Sequence, residues 1–152
     1  MLPLASLFPA GGGNGSAGFV LVGRDAGGER AGRAVSAAGD VNGDGIDDLI
    51  IGAYFADVGG DTLAGESYVV FGSTQGFPAV LPLASLFAGD GSAGFVLTGI
   101  DPDDESGISV SGAGDVNGDA IDDLIIGAVR ADPGGIDRAG ESYVVFGRAG
   151  VR

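Results

Sequence analysis

The chain has 152 residues, with 21 acidic residues against 7 basic ones and a formal net charge of −14. A length of this order sets one domain as the prior. A surface this acidic repels phosphate backbones and disfavours anionic lipid, so nucleic acid and membranes are not expected as partners. There is no Cys and no His, and every basic residue is Arg. Disulfides and thiolate metal sites are excluded, and His, Cys and Lys, on which nucleophilic and general-base chemistry often draws, are missing, leaving Asp, Glu, Ser, Tyr and Arg, so the chain is not expected to be an enzyme.

The chain opens on MLPLASLFPAGGG, which lacks the basic region and apolar length of a secretory signal. Its LPLASLF, at 2–8, returns at 81–87, so it is read as part of the fold and no signal peptide is expected in this chain. No run approaches the ~18 apolar residues of a membrane helix. The first predicted strand is 19–22 (FVLV), and the second is 34–38, built of small residues and Val as suits a place where backbones converge. The third, 48–54 (DLIIGAY), is apolar on consecutive positions, as expected of a strand covered on both faces. The fourth is 66–71 (ESYVVF), and Gly- and Asp-rich turns separate them all.

The whole series then repeats. GSAGFVL at 15–21 returns at 91–97, GDVNGD at 39–44 at 114–119, and AGESYVVFG at 64–72 at 139–147. The second set of strands is 95–98, 108–113, 123–129 and 141–146. Residues 1–80 and 81–152 are therefore two copies of one unit about 75 residues long. Four antiparallel strands per unit describe a β-propeller blade, so the expected fold class is all-β, with two four-stranded blades per chain.

Between the second and third strands of each unit lies an aspartate-rich loop, DVNGDGIDD at 40–48 and DVNGDAIDD at 115–123. Oxygen ligands at alternating positions of a tight loop suit a hard cation of calcium's size, which gathers six to eight oxygens at about 2.3–2.6 Å. In the first loop the candidates are the side chains of Asp40, Asn42, Asp44 and Asp48 with the carbonyl of Ile46. In the second they are Asp115, Asn117, Asp119 and Asp123 with the carbonyl of Ile121. Asp47 and Asp122 are expected to face away. The plain alternative is a hydrophilic hairpin turn, since Asn-Gly and Asp-Gly favour such turns. Ala120 stands where the first loop has Gly45, at a sharp point where φ is expected to be positive, which weakens the second site. An EF-hand needs an acid at the twelfth position, where Ile51 stands, and a dockerin needs a helix where the third strand is read.

These motifs, closed by Phe71-Gly72 and Phe146-Gly147 and followed on the third strand by Gly52-Ala53-Tyr54 and Gly127-Ala128-Val129, resemble the FG-GAP repeat of integrin α-subunit propellers. The Pro of GAP is absent from both copies. The resemblance implies one calcium ion per blade, an extracellular or cell-surface setting, and adhesion or scaffolding. It also implies that each FVL-type strand is the outer strand of the preceding blade. Blade one would then use 34–71 plus 95–98, while blade two would need 19–22 from elsewhere. We expect another copy of the chain to supply it. The link 73–80 between the units is close in length to what 148–152 and Met1 would provide between chains, so a head-to-tail ring fits: a trimer of six blades or a tetramer of eight. Two blades of a longer propeller fit equally.

Asp47-Asp48 and Asp103-Asp104 make poor glycosidase pairs, because neighbouring strand residues point to opposite faces. Tyr68 and Tyr143 are read as strand packing, and Arg24, Arg30 and Arg33 as surface charge. A protein or glycan ligand on the loops, or an accessory place in a larger extracellular protein or hydrolase, is the alternative to a purely structural role.

Overall fold

The computed structural model describes residues 3–25 and 28–150. Met1, Leu2 and 151–152, which belong to the expected inter-chain link and first arm, lie outside the described residues. The strands, in chain order, are β1 (Val20–Val22), β2 (Ala34–Gly39), β3 (Asp48–Ala53), β4 (Glu66–Val70), β5 (Val80–Pro82), β6 (Gly94–Thr98), β7 (Ser109–Gly114), β8 (Asp123–Ala128) and β9 (Glu141–Val145). Every predicted strand is present within a residue or so of its expected ends; β5 was not foreseen.

β2, β3, β4 and β6 form one antiparallel sheet in that order, so the outer strand of the first unit's sheet comes from the second unit's sequence. The second sheet has three antiparallel strands, β7, β8 and β9, and among the described residues no strand pairs with the outer edge of β9. β1 does not join this sheet of its own chain; it runs parallel to β5, with Val20 opposite Val80 and Val22 opposite Pro82. Its main chain is fixed there by Val20 N–H donating to Ala79 C=O and Leu83 N–H donating to Val22 C=O, at 2.9 and 2.8 Å.

The two sheets pack face to face. Ile50, Val69 and Phe71 of the first meet Leu124 and Ile126 of the second, with Val41 and Ala38 beneath them. The small-residue strands β2 and β7 lie side by side across this joint. A Cβ at Gly112 would come 2.9 Å from the Ala37 carbonyl oxygen, so the close approach anticipated from these residues is there and needs glycine. The other face of the first sheet, Ile51, Tyr68 and Val70, is covered by Leu83 and Leu86 of the second LPLASLF arm, with Leu21 of β1 beside them. The first arm is a 3-10 turn, Leu4–Leu7, that buries none of its residues.

Tyr68 joins two carboxyls in this second core. Its Oη lies 2.7 Å from Glu66 Oε2 and 3.0 Å from Glu29 Oε2, while Arg24 Nη1 donates to Glu66 Oε1 at 3.0 Å. One hydroxyl hydrogen serves only one of the two Tyr68 contacts, so the other needs a carboxyl proton. Burial pushes Glu66 up from the usual range, against the pull of Tyr68 and Arg24. Arg24 is thus no loose surface charge. A raised folded-state pKa gives stability that is present at acid pH and lost as pH rises through that pKa. Urea unfolding of wild type and Glu66→Gln across a pH series rising from pH 4 is expected to show wild type losing stability relative to the variant as pH rises.

Candidate metal centre

The first aspartate loop joins β2 to β3, entered through a bulge between Ala37 and Gly39. Asp40 Oδ1 accepts the N–H groups of Gly43 and Asp44 at 2.8 and 3.0 Å, and Oδ2 that of Gly45 at 2.8 Å. Asn42 Oδ1 accepts Asp44 N–H at 2.9 Å and Asp44 Oδ1 accepts Ile46 N–H at 2.9 Å. Asn42 Nδ2 donates to Asp44 Oδ2 at 3.2 Å. The side chains of Asp40, Asn42 and Asp44 thus curl the main chain around themselves, and Gly43 and Gly45 take positive φ where the curl is tightest. Asp48, buried at the start of β3, accepts Val41 N–H and Gly72 N–H, one on each oxygen, at 3.0 and 2.8 Å. Burial pushes Asp48 up, against these two donors. Gly72 has to be glycine because a Cβ would run into Ile46 and the Asp47 carbonyl.

The second loop repeats this network. Asp115 accepts from Gly118, Asp119 and Ala120; Asn117 from Asp119; and Asp119 from Ile121. Asp123 holds Val116 N–H and Gly147 N–H at 2.8 and 2.9 Å. The hydrogen bond from Ala120, with those of Gly118 and Asp119, holds Asp115 below the usual carboxylate range. Ala120 has φ of +70°, the left-handed conformation anticipated from its alignment with Gly45 at +85°. Ala120→Gly is therefore expected to raise the unfolding free energy by about 1 kcal/mol, read from the urea midpoint.

Asp122 turns from its own loop onto the first one. Its Oδ2 accepts Asp40 N–H at 2.9 Å and its own N–H donates to Asp40 C=O at 3.2 Å, tying the first loop to the second sheet. Arg148 N–H likewise donates to Val41 C=O at 3.0 Å. Sequence reasoning missed this joint because Asp122 acts across units; its one legible signal was a doubled aspartate where one would close the loop. Asp47, its counterpart, is exposed.

A carboxylate offers about four lone-pair sites and an amide oxygen two. Asp40 uses three of its sites, Asp44 and Asp48 two each, and the Asn42 oxygen one. All four side chains keep a free site, so the donor set fits a hard cation. The carboxylates are nevertheless turned onto main-chain N–H groups, and among the described residues no group of three or more acidic side chains is arranged to hold an ion.

Antiparallel sheets stacked face to face, each with an aspartate-cornered hairpin and a Phe-Gly exit, define an all-β repeat protein of propeller-blade type. Residues 31–70 match the FG-GAP repeat. It is 36% identical over 113 residues to integrin alpha pat-2 of Caenorhabditis elegans, covering 74% of this chain and 8% of that protein. It is 33% identical over 114 residues to phosphatidylinositol-glycan-specific phospholipase D of Rattus norvegicus, and 33% identical over 119 residues to that of Bos taurus. Those matches cover 74% and 78% of this chain and 13% of each relative. The chain thus spans about a tenth of the relatives it matches. Among the described residues no helix is long and apolar enough to cross a membrane.

Proposed function

We propose that the chain is a non-catalytic, calcium-binding propeller module of structural or adhesion type, with one Ca2+ per aspartate loop. The observation that carries this is charge. Each loop carries three of these aspartates and an asparagine on one hairpin, and none of the described salt bridges reaches either loop. A divalent ion supplies the missing counter-charge, held by Asp40, Asn42, Asp44, Asp48 and the carbonyl of Ile46, and in the second loop by Asp115, Asn117, Asp119, Asp123 and the carbonyl of Ile121. Its role is to cross-link the turn. A ligand at 100 times its Kd adds about 2.7 kcal/mol, or roughly 5–10 °C in Tm. Calorimetric titration is expected to give up to two Ca2+ per chain, the second weaker, and chelator to lower Tm by that amount. No heat of binding together with an unmoved Tm sinks the reading.

The open edge of β9 and the exposed face beside it call for further blades. A head-to-tail trimer or tetramer supplies them, with β1 of the next copy pairing with β9 as β6 pairs with β4. Calcium use and the FG-GAP match favour a place outside the cell, where the loops remain available for a protein or glycan ligand. The phospholipase D relatives support a second reading, an accessory blade pair within a larger extracellular protein or hydrolase.

A further inference from the structure

Where β6 ends above the second sheet there is a cavity of about 180 Å³, lined by Leu97, Ile100, Ile126, Tyr143 and Val145. Its lining is mostly apolar, and four of these residues have the same residue in the first unit, while Ile100 stands where that unit has Arg24. Leu97 repeats Leu21, Ile126 repeats Ile51, Tyr143 repeats Tyr68 and Val145 repeats Val70. In the first unit those four residues form the seat of the arm Leu81-Pro82-Leu83-Ala84-Ser85-Leu86-Phe87. Leu83 fills that seat and is 1% exposed, and Leu86 is buried beside it.

The same heptad stands at the start of the chain, with Leu4 and Leu7 in the places of Leu83 and Leu86. Leu4 is 78% exposed. The chain's own first arm is not free to fill the second seat, because the strand that follows it is bonded to Ala79, β5 and Leu83 at the far side of the first unit. We propose that this cavity is a docking site for the N-terminal arm of a second copy of the chain, with Leu4 entering between Ile126, Tyr143 and Val145. This rests on the head-to-tail reading above and specifies one of its joints. The occupant is dictated by the first unit, where the same side chains hold the same leucines. A chain so docked presents its β1 beside the arm, next to the open edge of β9.

Leu4→Asp tests this in the full chain. Leu4 is mostly exposed in the single chain, so the variant is expected to keep the wild-type melting curve of the dissociated protein. Light scattering after size exclusion, over a concentration series in calcium-containing buffer, is expected to show wild type assembling and the variant weakened at least tenfold. Leu4→Met, which keeps an apolar side chain, restores assembly. Wild type and Leu4→Asp assembling alike overturns the arm site while the ring survives. Wild type that stays monomeric throughout overturns both.

Discussion

Phe71→Ala is expected to destabilise the monomeric chain by about 3–5 kcal/mol, while Phe146→Ala costs under about 1 kcal/mol. The two residues close the same ESYVVF segment. Phe71 is 4% exposed, sits edge-on to Phe95 with ring centroids 5.8 Å apart, and packs with Ile50, Val69, Leu124 and Ile126 between the sheets. Its removal leaves a cavity that rigid sheets on both sides cannot close. Phe146 is 59% exposed on the outer face of the second sheet, so its truncation removes little packing. Urea unfolding at a concentration that keeps the protein monomeric measures both. Equal losses for the two variants would mean that the face described as open is covered in the single chain.

Asp48→Ala is expected to cost about 3 kcal/mol without any metal present, because it strands the N–H groups of Val41 and Gly72 in a buried site at roughly 1–3 kcal/mol each. Asp48→Asn keeps one acceptor oxygen and is expected to lose about half as much. Unfolding in chelator isolates this structural cost. Repeating it in calcium adds the lost ion: the gap between wild type and Asp48→Ala should then widen. A gap that stays constant would leave Asp48 as a hydrogen-bonding latch alone and remove it from the proposed ligand set. Asp123, holding Val116 and Gly147 in the same way, is expected to behave alike.

Much of this was legible in the residues. Gly and Asp clusters marked the turns, short apolar runs marked the strands, and the repeat of whole segments fixed two units. The borrowing of β6 by the first sheet followed from family resemblance, and the positive φ of Ala120 from its alignment with Gly45. β5 was missed because a proline-containing arm segment does not read as a strand. The buried Glu29–Tyr68–Glu66 cluster was missed because no local pattern brings carboxyls 37 positions apart to one hydroxyl. The contact of Asp122 with the first loop was missed for a related reason: on a strand's flank, the partner is set by what packs there.

The sequence by itself determined the strands, their order and the shape of both aspartate loops, since each depends on neighbours along the chain and on backbone freedom at glycine. It could not determine what any face would touch. ESYVV is fully buried as β4 and only half covered as β9, although the residues are identical. Ile50 is buried while Ile125 is exposed, and Val41 is covered while Val116 is not. Burial is a property of the surface laid against a residue. The first unit has a second sheet on one face and an arm on the other, whereas the second unit, in the single chain, has a neighbour on one face alone.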